Sequence, residues 1–329
     1  MDMVAAQAKV SPSTVSLYLR DPGLVSSKRA ERIQAAIEAT GYTLNRMAGA
    51  LAGNNSRAVA VIVPSMINAF FSETLQALQD VFEARGYQLL ISNCNYDAER
   101  ELALLRAHLS WSPAALVLTG THQGQARELL ERTGIPVAQM WELGGEAFHL
   151  QVGFHHEAVG AALAEHLYQT GRRAFTYVGA RMHLDQRARQ RADGFCTWLR
   201  ERGCEPHVIA LEQGTDEAGM ARVFDHLAGQ PQEPHGLCCS NDVLAIAALF
   251  EAQRRGIQVP QALAVTGFGD LPLAALSEPR LTTVRPYPER IGRTVAERLL
   301  QWLDRGELPQ VPETVDLGFE LITRESTSP

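Results

Sequence analysis

From residue 58 onwards, short runs of consecutive apolar residues alternate with longer segments whose apolar residues recur at helical spacing. The first run, 58–64, predicts a strand that is buried on both faces, because it offers no polar face to solvent. Leu75, Leu78 and Phe82 then recur at intervals of three and four residues, which predicts an amphipathic helix over about 72–85. A strand followed by a helix is the repeating unit of an α/β fold.

The same alternation extends to residue 266 and predicts parallel sheets that are covered by helices on both faces. Further strands are predicted at 88–91, 115–118, 136–138, 175–178, 208–209, 236–239 and 264–266, and further helices at about 99–109, 125–132, 158–170, 187–202, 220–227 and 243–254. No glycine-rich dinucleotide fingerprint follows the first strand, and the sequence contains no phosphate-binding loop. A nucleotide-binding site of either kind is therefore not indicated.

Residues 9–57 have a different pattern, which predicts a helix-turn-helix. Ser11 is a suitable N-cap, because its hydroxyl can accept from free amides of the first turn, and Pro12 then takes the first helical position. Val15 and Leu19 lie four residues apart and face the core, with Thr14 packed beside them. The residues left on the outward face, where a recognition helix meets bases and phosphates, are Ser13, Ser16, Leu17 and Arg20.

Length and charge divide the chain into a small and a large domain. At 329 residues the chain exceeds one compact core, and the change of pattern places the boundary between 1–57 and 58–329. Residues 1–57 carry a net charge of +3, whereas the remainder carries −10. A basic segment on an acidic body indicates nucleic-acid binding by the first domain.

Other features argue against export, membranes and metals. No apolar run is long enough to span a bilayer, and no secretion signal begins the sequence, so we expect a cytoplasmic protein.

The odd number of cysteines predicts buried free thiols in a reducing compartment; they are Cys94, Cys196, Cys204, Cys238 and Cys239. The run 155–157 has the His-x-Glu spacing of zinc deaminases without the cysteine pair, so we predict neither a metal nor a cofactor.

The N-terminal motif resembles that of the LacI/GalR family of bacterial transcription regulators. The pattern V-A-x-x-A-x-V-S-x-x-T-V-S spans 4–16, and Gly41-Tyr42 and Asn45-Arg46 follow at the family's positions. Leu17 stands where many relatives have an arginine that recognises guanine, and Lys9 replaces a glycine of the turn. The chain also lacks a few residues found before the point that matches Met1, so we expect either a frayed first helix or an upstream start.

The segment 45–53 is similar to the family's hinge helix, in which a leucine wedges between base steps of the minor groove. Here that leucine is Leu51, and the alternative is an ordinary linker helix whose leucine packs on the protein. The DNA-binding residues that the motif and the resemblance together imply are Ser11, Pro12, Ser13, Thr14, Ser16, Leu17, Arg20, Asn45, Arg46, Ala48 and Leu51.

The body resembles the family's effector-binding core, which is related to periplasmic sugar-binding proteins. The resemblance implies two doubly wound lobes with a ligand cleft between them, and three chain crossings near 153–157, 284–288 and 314–319. The effector-binding residues it implies are Asn68, Phe70, Phe71, His155, Arg181, Arg191, Asp242 and Asp270. Alternatives remain for several of these residues. Phe70 and Phe71 could pack within a lobe, Arg191 could be a solvated helix residue, and either of the histidines at 155 and 156 could have a structural role.

Landmarks such as Leu109-Ser110-Trp111-Ser112 and Asp316-Leu317-Gly318-Phe319 look similar to those of gluconate-type repressors. This resemblance implies a dimeric, ligand-controlled repressor of sugar-acid genes that binds a pseudo-palindromic operator, with gluconate or a ketogluconate as effector. A neutral sugar or another small metabolite is the alternative effector, and a sugar-binding receptor is an alternative function. No leucine heptad follows residue 319, so a dimer rather than a tetramer is expected, and no catalytic motif indicates an enzyme.

Overall fold

The computed structural model describes residues 1–42, 56–66, 69–120, 124–212, 217–230 and 234–328. The chain forms two compact units, Met1–Arg57 and Ala58–Pro329. The division between them falls where the apolar run of the first strand begins.

The N-terminal unit contains three helices packed around a small apolar core. The helices are α1 (Asp2–Ala8), α2 (Pro12–Arg20) and α3 (Ser27–Thr40), with a 3-10 turn at Pro22–Leu24. The buried core residues are Val4, Ala5, Ala8, Val15, Val25, Ile33 and Ala36. Lys9 ends α1 in the left-handed conformation, with φ of 51°, which fits the glycine that the family resemblance implies at this position. The backbone carbonyl of Lys9 accepts a hydrogen bond from Arg32 of α3.

The large unit begins with a lobe built on a six-stranded parallel sheet, which we call lobe 1. Its strands are β1 (Ala58–Val63), β2 (Gln88–Asn93), β3 (Ala115–Thr119), β4 (Val137–Met140), β5 (Leu150–Gly153) and β11 (Glu313–Asp316), in the order β11-β5-β4-β3-β1-β2. Its helices are α4 (Ala69–Glu83), α5 (Ala98–Leu109), α6 (Gly124–Glu131) and α11 (Pro288–Arg305). Val59 and Val61 of β1 pack in one apolar cluster, whereas Ala60 and Ile62 pack in another. The prediction of a strand buried on both faces is therefore confirmed.

Lobe 2 is built on a four-stranded parallel sheet. Its strands are β6 (Ala174–Ala180), β7 (His207–Leu211), β8 (His235–Cys239) and β9 (Leu263–Thr266), in the order β7-β6-β8-β9. Its helices are α7 (His156–Gln169), α8 (Gln186–Arg200), α9 (Glu217–Ala228) and α10 (Asp242–Arg254). Helices α7 and α8 cross at two glycines, Gly160 and Gly194, where an added methyl group would meet the backbone of the opposite helix. Such close backbone contact requires glycine.

The chain crosses between the lobes three times, as predicted. It passes from β5 directly into α7, and it returns through β10 (Thr283–Arg285) into α11. From β11 it reaches β12 (Glu320–Ile322), which pairs antiparallel with β10. The following segment returns to lobe 2, where Ser326 exchanges hydrogen bonds with the backbone of Val265 on β9. Neither lobe is a continuous stretch of chain.

The predicted elements of 58–266 are present, with bounds that differ by up to three residues, but α11 and the strands β5, β10, β11 and β12 were not predicted. Helix α11 has a clear apolar face, with Ile291, Val295 and Leu299 buried. The four missed strands have only three or four residues each, and most contain polar side chains.

Candidate functional site

In the N-terminal unit, Ser11 caps α2 as predicted. Its Oγ accepts a hydrogen bond from the amide of Thr14 at 3.2 Å and lies 2.8 Å from the hydroxyls of both Ser13 and Thr14. Ser11, Pro12 and Ser13 are exposed, whereas Val15 is buried. The start of α2 therefore presents a cluster of hydroxyl groups to solvent, as phosphate or base contacts require.

The other predicted DNA contacts differ in how far the structure describes them. Thr14, Ser16 and Leu17 are half-buried, and Leu17 packs partly against the core instead of standing fully outward. The side chain of Arg20 is outside the described part of the structure. The same holds for the predicted hinge residues Asn45, Arg46, Ala48 and Leu51, and for the predicted effector contact Asn68.

The predicted aromatic contacts lie between the two lobes. Phe70 is half-buried, and its ring centroid lies 4.8 Å from that of Trp141 in lobe 1 and 6.0 Å from that of Phe268 in lobe 2. Phe71 is 1% exposed and belongs to the apolar core. Phe71 therefore packs internally, which was the alternative weighed for it, and as an effector contact it stays a prediction.

Arg191 lies on α8 and is almost fully buried. One Nη donates to Nδ1 of His156 and the other to the backbone carbonyl of Ser240, each at 2.9 Å. The guanidinium also lies 4.1 Å from the ring centroid of Phe268, a cation–π contact. Both Nη groups are thus engaged by the protein, while Nε has no hydrogen-bond partner within the described structure.

The two neighbouring histidines have opposite surroundings. His155, the predicted contact, is exposed at the N-terminus of α7, whereas His156 is buried. Nε2 of His156 lies 3.1 Å from the carbonyl of Trp141, so the imidazole links α7 of lobe 2 to the end of β4 in lobe 1. Burial and the positive charges of Arg191 and Arg187 hold the pKa of His156 well below its usual range. The structural role that remained an alternative for the histidines is therefore filled by His156.

The two predicted aspartates have internal partners. Asp242 is fully buried, and its carboxylate accepts from the hydroxyl of Thr283 at 2.5 Å and the amide of Leu271 at 2.7 Å. Burial raises the pKa of Asp242 to about 6. Asp270 accepts from Arg285 at 2.7 Å and from Arg324 at 2.6 Å.

Both arginines belong to segments that cross between the lobes, so the structural role of Asp270 is to join lobe 2 to these crossings. Asp242 likewise holds the loop after β9 against β10. As effector contacts, both aspartates stay predictions.

A polar cavity of about 200 Å³ lies between the lobes at the carboxyl ends of the lobe 1 strands. This is the position at which open parallel sheets bind ligands. Its walls are formed by Pro64, Cys94, Tyr96, Asp97, Ala98, Glu101, Thr119, Gly120, Glu142, Leu184, Gln186 and Arg187. Arg181 is exposed and does not line it.

The charged centre of this cavity is the pair formed by Glu142 of lobe 1 and Arg187 of lobe 2. Glu142 Oε2 lies 3.6 Å from Arg187 Nη1, and both side chains are nearly buried. Gly120 makes room for the pair, since a Cβ there would lie 3.2 Å from the Glu142 carboxylate. Burial would lower the pKa of Arg187, but Asp185 and Glu142 raise it, so the guanidinium stays charged.

Sequence reasoning missed Arg187, Glu142 and Tyr96. A signal for the first was present: Arg187 precedes Arg191 by four residues, which places both on one face of α8. Within the described residues, no group of three His, Cys, Asp or Glu side chains is arranged to hold a metal ion. No helix among those residues is long and apolar enough to cross a bilayer.

Comparison with known proteins identifies both units. Residues 1–45 match the model of bacterial regulatory proteins of the lacI family, and residues 164–327 match that of a periplasmic binding protein-like domain. The chain is 40% identical to the HTH-type transcriptional regulator GntR of Pseudomonas aeruginosa, over 99% of this chain and 95% of that protein. The chain therefore belongs to the lacI family, and it is a DNA-binding transcriptional regulator rather than an enzyme.

Two solved structures are also similar. The transcription regulator GntR from Chromobacterium violaceum has 39% sequence identity and a TM-score of 0.76, covering 83% of this chain and 100% of that chain. A lacI-family transcriptional regulator from Silicibacter pomeroyi has 30% identity and a TM-score of 0.91, covering 99% and 98%. The predicted fold class, a helix-turn-helix joined to a two-lobed α/β core, is thus confirmed.

Proposed function

We propose that this regulator is a dimeric, cytoplasmic repressor of sugar-acid utilisation genes, with gluconate or a ketogluconate as effector. The observation that carries the proposal is a charged cavity between the lobes of a regulator core: Arg187 supplies a cation for a carboxylate, and Glu142 and Thr119 supply acceptors for hydroxyls. The landmarks shared with gluconate-type repressors, and relatives that carry the name GntR, support the same ligand class.

The N-terminal unit, 1–57 with its hinge, is the proposed DNA-binding domain, and 58–329 is the proposed effector-binding and dimerisation domain. The hydroxyl groups at the start of α2 would contact the operator, and Leu51 would wedge into the minor groove. In the core, Phe70 and Arg191, which both contact the ring of Phe268, are also proposed as effector contacts. Effector binding would change the orientation of the two lobes relative to each other, and this change would alter the affinity of the protein for DNA.

An apolar surface on lobe 2 supports a dimer. Val243 and Phe250 lie seven residues apart on α10, and each is more than half exposed. Leu273 and Leu276, in and just after the 3-10 turn Pro272–Ala275 that packs beside α10, are 60% and 76% exposed. Exposed apolar side chains on neighbouring elements are typical of an interface. The proposed occupant is a second copy, because the two DNA-binding units of a dimer fit a pseudo-palindromic operator.

A neutral sugar is the second candidate effector, since a specific feature of the cavity favours it. Asp97, Glu101 and Glu142 outnumber the single arginine among its walls. Carboxylates accept hydrogen bonds from neutral hydroxyls and repel an acid. The two candidates therefore differ in whether the negative charge of the ligand increases its affinity.

The test combines operator selection with effector titration. Full-length protein should select a pseudo-palindromic sequence from random DNA, and its affinity should fall steeply as the salt concentration rises. Gluconate or 2-ketogluconate should then change operator affinity, measured by fluorescence anisotropy, at concentrations where glucose does not. Failure to select any sequence would contradict the DNA-binding assignment of the N-terminal unit. A response to glucose alone would contradict the sugar-acid effector and support the neutral sugar.

A further inference from the structure

Arg187 and its neighbour Gln186 are the residues of α8 that line the interlobe cavity. Arg187 lies one turn before Arg191 and in the first turn of the helix, next to the N-cap Asp185. Its guanidinium is 5.7 Å from the ring centroid of Phe71 and 6.0 Å from that of Tyr96. The cation therefore lies near two aromatic rings of lobe 1 at the wall of the cavity.

The ion pairs of Arg187 are longer than hydrogen bonds. Glu142 and Asp185 each lie 3.6 Å from the guanidinium, whereas a bidentate carboxylate approaches to about 2.8 Å. Both carboxylates thus compensate the charge of Arg187 without the close, two-point geometry that arginine offers. A ligand carboxylate can supply that geometry.

The other arginines are less suited to bind a ligand. Arg191 already donates to His156 and Ser240, and it is not among the residues that line the cavity. Arg181 is exposed and lies outside the cavity walls. Of these three arginines of lobe 2, Arg187 alone combines burial, charge and a position in the cavity wall.

We infer that Arg187 binds the carboxylate of the effector and releases Glu142 to accept ligand hydroxyls; this inference rests on the proposed sugar-acid effector. The exchange leaves the charges compensated, because the carboxylate of the ligand replaces that of Glu142 beside the guanidinium. Glu142 then faces the hydroxyl groups of the same ligand. A neutral sugar offers no anionic group that could compensate the charge of Arg187 in place of Glu142.

The exchange also connects ligand binding with the arrangement of the lobes. Glu142 follows β4 in lobe 1, whereas Arg187 and Asp185 belong to lobe 2, so the ion pair of 3.6 Å spans the cleft. A ligand inserted into this pair changes the contact between the lobes at the site where it binds. Differential contact of this kind is what an effector needs in order to shift a conformational equilibrium.

The test compares gluconate with gluconamide, which replaces the carboxylate by a neutral amide of similar shape. Calorimetry on the full-length protein should show tighter binding of gluconate. Arg187→Gln should weaken gluconate binding by about 10- to 100-fold while gluconamide binding changes little, because only the charge-assisted contact is lost. Arg187→Lys should restore part of the preference. Arg200→Gln, an exposed arginine at the other end of α8, is the matched control and should change neither affinity.

The outcomes separate the inference from the proposed function. Indifference of the unaltered protein to the charge of the ligand would overturn the sugar-acid effector, and the inference with it. A preference for gluconate that survives Arg187→Gln, or that is abolished by Arg181→Gln instead, would overturn the inference alone. Thermal unfolding of each variant shows whether the fold is retained, and Arg187→Lys provides the comparison if the glutamine variant does not fold.

Discussion

Nη1 of Arg191 lies 2.9 Å from Nδ1 of His156, so a buried guanidinium donates to a buried imidazole. Arginine can only donate, and the Trp141 carbonyl near Nε2 can only accept. The two contacts together require the neutral tautomer with its proton on Nε2. A second proton would place an N–H against the guanidinium of Arg191.

This arrangement predicts that stability falls in mild acid. Because the pKa of His156 is far below 6.5 in the folded protein, the unfolded chain binds a proton below about pH 6.5 that the folded protein does not. The free energy of unfolding therefore decreases as the pH falls from about 6.5 towards the lowered pKa. Urea denaturation at several pH values should show that His156→Gln, which can still donate and accept, flattens this decrease. His183→Gln, at an exposed position, is the control, and an unchanged slope in His156→Gln would contradict the prediction.

Asp270→Asn should destabilise the large unit by roughly 2–4 kcal/mol, because two arginines lose their shared carboxylate. The Asp270 side chain is 9% exposed, so water does little to replace the lost charge. Asp304→Asn removes a carboxylate from the exposed pair with Arg85 and should change stability by about 1 kcal/mol or less. Equal effects of the two substitutions on urea denaturation would show that Asp270 does not hold the crossings.

Gly160→Ala should be among the most damaging small substitutions in the chain. Its Cβ would lie 1.9 Å from the carbonyl oxygen of Arg191, which belongs to the backbone of α8 and cannot rotate away. We expect a loss of about 3 kcal/mol or more, together with a displaced α8. Gly229→Ala, whose Cβ would lie 3.5 Å from its nearest neighbour, should be tolerated. Thermal unfolding of both variants gives the comparison, and similar melting temperatures would contradict it.

Phe250→Arg should convert the proposed dimer into a monomer, because it places a charge in the apolar surface of lobe 2. Sedimentation velocity measures the change directly, and circular dichroism should show an unaltered fold, since this side chain is 62% exposed. Val311→Arg alters a residue that is 75% exposed elsewhere on the large unit and should leave the dimer intact. If Phe250→Arg remains a dimer, the interface lies on another surface.

Periodicity in the sequence was sufficient to predict most of the architecture, since each strand with a continuous apolar run was found. Helix α11 shows an omission of a different kind. Ile291, Val295 and Leu299 recur every four residues, so the helical period of α11 is visible in the sequence itself. Strand β11, with alternating half-buried and exposed residues, has no apolar run, and only its pairing with β5 defines it.

The candidate site was less predictable because its geometry depends on residues that are distant in the sequence. Whether Arg187 or Arg191 binds the ligand depends on the surroundings of each. His156 and Ser240, from two other parts of the chain, each accept a hydrogen bond from an Nη group of Arg191. Likewise, Asp270 is occupied by Arg324, 54 residues further along the chain. Neither set of contacts can be predicted from the spacing of residues along the sequence.

The return of the chain to lobe 2 has a consequence for its synthesis. Strand β9 is at the edge of its sheet, and Ser326 covers Val265 there through backbone and hydroxyl hydrogen bonds. A nascent chain on the ribosome therefore leaves this edge uncovered at Val265 until the segment 324–327 has been made, more than 50 residues after β9 itself. An open edge of this kind can pair with other chains. During that interval, the edge of β9 at Val265 is a site at which the nascent chain can pair with another chain.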